Sequence, residues 1–318
     1  MPNTIGHFLF YLNIVDRYML WENEVEREVV FIDRIKSYCK HFKPLFELEK
    51  RAIVHSVYKS TINCIVDDRI FSLQHQEMPI TPLSINLDIP KRVFELIRVN
   101  RGDEVQFTKD GLVAFNSMFT MDHAEVFDCD LTEGTIPLDK VKIKILTDQI
   151  LKYIEKGEFG RIAKSFKDNE VIPLSFAGNY VSGVLLRLTS SSNVAEIGSL
   201  AAQLVGVGEG LTPSGDDFNC GMLAAQYYLR GHPYAVELKE QLISQIMRRI
   251  NTTTVISKEF LIYACEGKFS QMVKNVLIKS QKELDVTSEI IKIRDIGHTS
   301  GIDFLTGLYF GLLKGGNE

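Results

Sequence analysis

One glycine-rich motif occurs twice in the second half of this sequence. The first copy lies in Gly206–Gly221 (GVGEGLTPSGDDFNCG), and a shorter copy lies in His298–Gly307 (HTSGIDFLTG). Both contain the pattern Ser-Gly-x-Asp-Phe-x-x-Gly, in which a serine precedes an acidic residue and then an apolar run, as is typical of the start of a helix. We therefore predict two similar loop-to-helix segments that build one site together.

The serine and the aspartate of each copy are predicted to cap a helix. Ser214 lies three residues before Asp217, and Ser300 has the same spacing to Asp303. This is the spacing of a capping box, in which the serine hydroxyl and the acidic side chain accept hydrogen bonds from free backbone amides. On this interpretation the four residues need no catalytic role.

The last glycine of each copy is predicted to serve helix packing. Gly221 and Gly307 should each cost about 0.5–1 kcal/mol inside a helix, so each needs a compensating reason. Gly221 with Ala225, and Gly307 with Gly311, form stripes of small residues that allow two helix backbones to approach closely. We expect the two helices to pack against each other about a pseudo-twofold axis.

Capping does not explain the glycines that surround the first serine. Glycine permits positive φ angles and close approach of a ligand, and the amides at a helix start carry a partial charge of roughly +0.5. This combination favours a bound phosphate or carboxylate, with a purely structural glycine-rich turn as the alternative. The predicted substrate-binding residues are Gly208, Gly210, Thr212, Ser214 and Gly215 in the first copy and Thr299, Ser300 and Gly301 in the second.

Asp216 and His298 are the predicted catalytic residues. Asp216 and Asp217 lie about 100° apart on a helix, so one of them is spare if the other caps. The shorter copy has Ile302 at the position of Asp216, which makes Asp216 the better candidate, either as a general base or as a ligand of Mg²⁺. His298 precedes the second serine and could donate to an anion or transfer a proton. The candidate metal ligands are Asp216 and Asp217, and no cofactor is established.

The composition indicates a folded protein that binds neither nucleic acid nor a membrane. Of the 318 residues, 45% are hydrophobic and 24% are charged, which excludes a disordered or fibrous class. The net charge of −5 provides no broad basic surface for nucleic acid or anionic lipid. The five cysteines are scattered and odd in number, and a leader peptide is not indicated, so we expect a cytoplasmic protein.

The segregation of strand-like and helix-like segments predicts an α+β fold. Residues 1–45 are predicted to be a helical extension, because Glu22–Phe42 has apolar residues near helical spacing and Pro44 would end the helix. Residues 46–135 are predicted to form a β-rich barrel or sandwich, and residues 136–318 a mainly helical domain that carries both copies of the motif.

Short apolar runs and turn residues define the predicted elements in more detail. Strands are expected in AIVHSVY, TINCIV, RIFSL, LSINL, VFELIRV, EVQFT, LVAF and AEVFDCDL, with hairpin turns at Asp67-Asp68 and Lys109-Asp110-Gly111. Helices are expected within 138–168 and at Val194–Val205, Ser214–Leu229, Pro233–Ile250, Ser257–Glu266, Phe269–Glu283 and Gly301–Leu313. The stretch VIPLSFAGNYVSG (171–183) is expected to be irregular.

The first copy of the motif resembles the signature GxGxGLTPSGDDFxxG of a bacterial family that includes a subunit of oxamate carbamoyltransferase. Weaker similarity extends to the segment AIVHSVYKSTINCIVDDRIFSL, to TTVIS and to GHTSGIDFLTG, and so covers roughly residues 50–314. Many members have GPGLTP where this chain has GEGLTP. The added carboxylate of Glu209 is compatible with an anion site only if it faces away or helps to hold a metal.

The resemblance implies a role in carbamoyl transfer between carbamoyl phosphate and oxamate, with oxalurate and phosphate as products, or in the reverse reaction in purine catabolism. Partners would include an acyl-CoA-synthetase-like subunit and a second family-specific subunit. Two other functions fit the residues alone. One is a magnesium-dependent phosphate hydrolase that uses Asp216 and Asp217, and the other is a noncatalytic scaffold whose glycine-rich helices only pack against partners.

Overall fold

The computed structural model describes residues 31–132 and 139–316, and it confirms the α+β class. The chain divides into two compact units after Asp128. The first unit is a β-barrel and the second is mainly helical. Within the described residues, no helix has both the length and the apolar character needed to cross a membrane.

Eight strands of the first unit close into a barrel, so the barrel alternative of the prediction is confirmed. The strand order is β5-β4-β3-β2-β6-β7-β8-β1, and an antiparallel pairing of β1 with β5 completes the ring. A ninth strand pairs in parallel with the end of β1. The strands are β1 Phe31–Cys39, β2 Arg51–Val57, β3 Thr61–Val66, β4 Arg69–His75, β5 Ser84–Leu87, β6 Glu104–Thr108, β7 Gly111–Ala114, β8 Ser117–Thr120 and β9 Glu125–Phe127.

Aromatic side chains fill the inside of the barrel. Phe107 on β6 packs its ring 5.3 Å from that of Phe71 on β4 and 4.9 Å from that of Phe46, which lies on the short helix α1 (Lys43–Glu47). All three are almost completely buried. Burial of large aromatic side chains contributes most per residue to a small core, so these rings are expected to contribute strongly to the stability of the barrel.

Two predicted hairpin turns are confirmed. Asp67 and Asp68 join β3 to β4 with φ angles of 48° and 63°, as a two-residue turn of the primed type requires. Lys109 and Asp110 join β6 to β7 in the second hairpin. Aspartate tolerates the left-handed region better than most residues, which is why these sequences were readable as turns.

The predicted N-terminal helix is wrong where the structure can test it. Residues 31–39 form β1, and Pro44 stands in the first turn of α1 instead of ending a helix. The end of β1 is buried at consecutive positions, including Ser37, Tyr38 and Cys39. Because both faces of this segment are covered, its apolar residues do not alternate, and their spacing imitates that of a helix. Residues 1–30 lie outside the described residues.

Two further segments differ from the prediction. The run VFELIRV is not a strand, because Pro90 precedes a short helix, α2 (Lys91–Phe94), and proline suits a helix start. The stretch at 171–183 is irregular only at its beginning. Ser175 caps a helix there through a hydrogen bond from the Gly178 amide of 2.8 Å.

The second unit consists of ten described helices, and the predicted helical segments after residue 193 are confirmed to within a few residues. A helix that the sequence did not indicate, α11, lies just before the second copy of the motif. The helices are α3 Lys140–Leu151, α4 Glu158–Asp168, α5 Phe176–Ser190, α6 Val194–Gln203, α7 Ser214–Tyr228, α8 Pro233–Arg249, α9 Val255–Cys265, α10 Gln271–Lys279, α11 Thr287–Arg294 and α12 Ser300–Gly315.

The two motif helices, α7 and α12, pack closely and in parallel at the centre of this unit. A β-carbon at Gly221 would lie 2.0 Å from the Phe304 carbonyl oxygen, and one at Gly307 would lie 1.9 Å from the Phe218 carbonyl oxygen. These contacts are reciprocal, because Phe218 and Phe304 occupy the same place in the two copies. The predicted packing about a pseudo-twofold axis is therefore confirmed.

Candidate functional site

The parallel packing places the N-termini of α7 and α12 at the same end of the helix pair. The loop before α7 reaches its first turn through three glycines with positive φ angles, namely 77° at Gly206, 124° at Gly208 and 91° at Gly210. Because parallel helices present partial positive charges side by side, this end of the pair favours negative groups. We call the residues from Gly206 to Asp217 and from Gly297 to Asp303 the paired helix start.

A hydrogen bond joins the two copies of the motif directly. The hydroxyl oxygens of Thr212 and Ser300 lie 2.9 Å apart. These two residues were both predicted to bind substrate, and the structure brings them together from positions 88 residues apart in the chain. The expectation of one site built from both loops is consistent with this contact.

The predicted capping boxes are wrong. Each helix already begins at its serine, and the preceding residues, Pro213 and Thr299, make no side-chain capping bond. Ser214 and Ser300 therefore lie in the first turn, and their hydroxyls lie near the carboxyl groups of Asp303 and Asp217 on the opposite helix. The hydrogen-bond geometry expected of an N-cap is absent from both starts.

Asp216 has a structural environment that the sequence did not reveal. It is only 1% exposed, and its Oδ1 accepts a hydrogen bond of 2.9 Å from the Gly206 amide. Its Oδ2 accepts a bond of 2.7 Å from the Ser257 hydroxyl and another from the Thr253 hydroxyl. Both oxygens are thus engaged in holding the glycine loop and the start of α9. The description of Asp216 as the spare carboxylate was wrong, whereas its catalytic role stays a prediction.

The segment RRINTTTVIS supplies these partners of Asp216. Thr254 caps α9 by accepting a bond of 3.1 Å from the Ser257 amide, and its hydroxyl also donates to the Leu211 carbonyl. The Thr252 hydroxyl donates a hydrogen bond of 2.7 Å to the Arg249 carbonyl. Nothing in the sequence spacing of this segment showed that its hydroxyl groups support the loop before α7.

The carboxyl groups left without partners are those of Asp217 and Asp303, which were predicted to cap. Asp303 is 1% exposed, and neither of its oxygens has a hydrogen-bond partner, while Asp217 has a buried and unpaired Oδ2. The hydroxyls of Ser214 and Thr299 lie near Asp303, and those of Ser300 and Thr212 lie near Asp217. Each carboxyl therefore faces a hydroxyl from the opposite copy of the motif.

Burial changes the titration of both carboxyl groups. It raises the pKa of Asp303 to about 7, against the opposing effect of the nearby Ser214 and Thr299 hydroxyls. Burial also raises the pKa of Asp217 well above its usual range, and the negative charge of Asp303 adds to this increase. A buried carboxyl disfavours its charged form, and a second carboxyl nearby has the same effect. Perturbed groups of this kind occur preferentially in functional sites.

Two of the predicted anion-binding glycines have another role. The Gly215 amide donates a hydrogen bond of 2.8 Å to the Val207 carbonyl. The Gly301 amide donates one of 3.1 Å to the Ile296 carbonyl. A β-carbon at Gly215 would lie 1.9 Å from the Leu204 carbonyl oxygen, and Gly301 is equally confined. These glycines serve close packing, and their amides are not available to an anion.

Other backbone amides of the paired helix start remain available. In the described part of the chain, no protein acceptor is paired with the N–H groups of Gly208, Gly210 and Ser214. Gly210 is exposed, and a β-carbon there would contact no atom within 4 Å, so a ligand can approach its backbone. Glu209 and His298 are exposed as well. The predicted roles of His298, Thr299 and Gly208 stay predictions.

A metal ion would have few protein ligands here. Among the residues that the structure describes, none of Asp216, Asp217 and Asp303 belongs to a group of three acidic, histidine or cysteine side chains close enough together to hold a metal ion. Mg²⁺ is commonly held by one or two carboxylates plus substrate oxygens, so a metal that arrives with a substrate is compatible with this set. The Mg²⁺ expectation stays a prediction.

Asp216→Asn should lower the free energy of unfolding by about 2 kcal/mol, because an amide replaces a charged acceptor of three hydrogen bonds. Urea unfolding followed by circular dichroism measures this change. Asp295→Asn is the matched control, since Asp295 is exposed and its carboxylate pairs with no residue but the adjacent Arg294 in the described part of the chain. Equal stability of both variants would contradict the structural role of Asp216.

Together the fold and the paired helix start define a two-unit protein, with a β-barrel and a helical unit that presents a small polar site at duplicated helix starts. Comparison with known families gives this class a name. A family model described as oxamate carbamoyltransferase subunit AllH matches residues 204–312, and a model described as AllH family N-terminal domain matches residues 34–126. The two matches cover more than half of the chain, which therefore belongs to the AllH family. No solved structure matches the chain.

Proposed function

We propose that this chain is a subunit of an oxamate carbamoyltransferase and that the paired helix start binds one of its small anionic substrates. The family match covers the whole paired helix start, since it runs from residue 204 to 312. The observation that carries the proposal is the convergence of two helix N-termini, with free amides at Gly210 and Ser214 and hydroxyls at Thr212 and Ser300.

The chemistry of the substrates suits this arrangement. In the forward reaction the oxamate nitrogen forms a bond to the carbamoyl carbon of carbamoyl phosphate, the carbon–oxygen bond to phosphate breaks, and the nitrogen loses one proton. The products are oxalurate and inorganic phosphate. Oxamate, oxalurate and carbamoyl phosphate all carry a carboxylate or a phosphate, and helix starts with free amides bind such groups. Other subunits of the enzyme would complete the catalytic site.

Thr212→Val should weaken binding of oxamate or carbamoyl phosphate about tenfold, because one hydroxyl donor is lost and 1.4 kcal/mol corresponds to a factor of ten. Calorimetric titration of the full-length chain, alone and with its partner subunits, measures this effect. Thr252→Val is the matched control, since among the described residues the Thr252 hydroxyl bonds only the Arg249 carbonyl. If the wild-type chain binds neither substrate in any assembly, the proposal is wrong and a scaffold role is favoured.

A further inference from the structure

Three carboxylate oxygens are buried without a partner where α7 and α12 begin. They are Oδ2 of Asp217 and both oxygens of Asp303. An unpaired buried polar atom costs about 1–3 kcal/mol, and such atoms in a folded protein call for an explanation. Their concentration at the end of the helix pair that also offers free amides points to a ligand that is bound there.

The unpaired atoms specify what that ligand must offer. Each carboxyl group keeps at least one oxygen that only accepts, whether the group is charged or protonated, so a hydrogen-bond donor or a cation would satisfy it. The parallel starts of α7 and α12 place partial positive charges beside them, which disfavours a cation. No third ligating side chain joins Asp217 and Asp303 within the described residues, which also argues against a metal. A neutral N–H donor satisfies these conditions better.

The same ligand must also carry a negative group. The hydroxyls of Thr212 and Ser300 lie beside Asp217, and the N–H groups of Gly210 and Ser214 are further donors of the paired helix start. A molecule with an –NH₂ group at one end and a carboxylate at the other matches both halves of the site. Free amide donors take the carboxylate, and carboxyl acceptors take the –NH₂ group.

We infer that Asp217 and Asp303 bind the –NH₂ group of a small amido acid whose carboxylate is held by the amides and hydroxyls of the paired helix start. This inference rests on the proposed function, because oxamate, H₂N–CO–COO⁻, is such a molecule. It adds the orientation of the substrate and two residues that recognise its nitrogen. The side chains of Ser214 and Thr299 beside Asp303 are partly exposed, and binding requires that they rotate to admit the ligand to the buried carboxyl.

Three ligands of nearly equal size test this orientation on the full-length wild-type chain. Oxamate carries –NH₂, pyruvate carries –CH₃ and oxalate carries –O⁻ at the same position. Calorimetry should show that oxamate binds at least tenfold more tightly than either of the others, because a site built to accept hydrogen bonds rejects analogues that cannot donate them. This comparison needs no variant and is independent of any folding defect.

Variants then show which residues are responsible for the preference for oxamate. Asp217→Asn and Asp303→Asn should each reduce the preference for oxamate over pyruvate at least fivefold, whereas Asp295→Asn, on the turn before α12, should leave it unchanged. Far-ultraviolet circular dichroism confirms that each variant is folded before titration. Thr212→Val should weaken binding of oxamate and pyruvate alike, since it removes a contact to the shared carboxylate.

The outcomes separate this inference from the proposed function. Equal binding of oxamate and pyruvate, or an unchanged preference in both aspartate variants, would overturn the inference and leave anion binding at the helix starts intact. Binding that is lost with EDTA and restored by Mg²⁺ would overturn it in favour of a cation between the carboxylates. Failure of all three ligands to bind, alone or with partner subunits, would overturn the inference, and failure of carbamoyl phosphate to bind as well would overturn the proposed function.

Discussion

Gly307→Ala should lower the free energy of unfolding by at least about 3 kcal/mol. The new β-carbon would lie 1.9 Å from the Phe218 carbonyl oxygen, and a backbone atom cannot rotate away as a side chain does. Overpacking of a core typically costs about 1–3 kcal/mol, and a forced shift of a whole helix lies at the upper end or beyond. Alanine favours the helix by only about 1 kcal/mol relative to glycine, which does not offset the clash.

Urea unfolding of the full chain, followed by far-ultraviolet circular dichroism, measures the loss. Gly183→Ala is the matched control, since Gly183 also lies within a helix but a β-carbon there meets no atom within 4 Å. This variant should be stabilised by about 0.5–1 kcal/mol through helix propensity alone. Gly221→Ala should behave like Gly307→Ala because the two contacts are reciprocal. Similar midpoints for Gly307→Ala and Gly183→Ala would refute the close packing of α7 and α12.

The second large effect is a dependence of stability on pH that Asp303→Asn should reduce. The pKa of Asp303 is about 7 in the folded chain and near the usual 3.8 when unfolded, so the folded state binds the proton more tightly. The stability associated with this group is therefore fully present below about pH 4 and is lost as pH rises through 7. At 1.36 kcal/mol per pKa unit, the loss amounts to about 4 kcal/mol.

The measurement is the difference in unfolding free energy between wild type and Asp303→Asn from pH 4.5 to pH 8. As pH rises, the wild type should lose stability relative to the variant. The difference should become constant at pH values above the pKa that Asp303 has in the folded chain. Asp217, whose pKa is also raised, acts in the same direction and remains in the variant. Asp295→Asn serves as the control. Arg294 lowers the pKa of Asp295, so this carboxyl titrates below the pH range of the measurement and does not change stability within it. Parallel pH profiles for Asp303→Asn and wild type would contradict the burial of an unpaired carboxyl.

The helix pair was predictable from the sequence because glycine inside a helix is unfavourable unless it serves a purpose. Gly221 and Gly307 recur at the same distance from their serines, and close packing is the simplest compensation for both. The barrel strands were similarly readable, since their turns are marked by Asp67-Asp68 and similar signals. These features depend on local chemistry, which a sequence displays directly.

The roles of the acidic residues were not predictable, because they depend on partners that are distant in the chain. The hydroxyls that bind Asp216 come from residues 37 and 41 positions away. Because these hydroxyls bond to Asp216, the carboxyl group without a partner is that of the neighbouring Asp217. A shift of each helix start by one residue was enough to turn the supposed caps into contacts between helices. No single-residue pattern encodes that shift.

The first strand was missed for a related reason. A strand that is buried on one face shows alternating apolar and polar residues in the sequence. In β1, by contrast, Ser37, Tyr38 and Cys39 are buried in succession. Periodicity then carries no information that separates a strand from a helix. The pairing of β1 with β5 and β8, which closes the barrel, is a property of the whole unit.

The reciprocal packing of α7 and α12 gives one polypeptide the symmetry that is usual for a pair of identical subunits. In a homodimer every substitution appears on both sides of the axis at once. Here the two sides can differ, and they do: Asp216 anchors the first loop, while Ile302 fills the equivalent position in the second. A molecule with two unlike ends can therefore distinguish one side of the axis from the other and lie across it in a single direction.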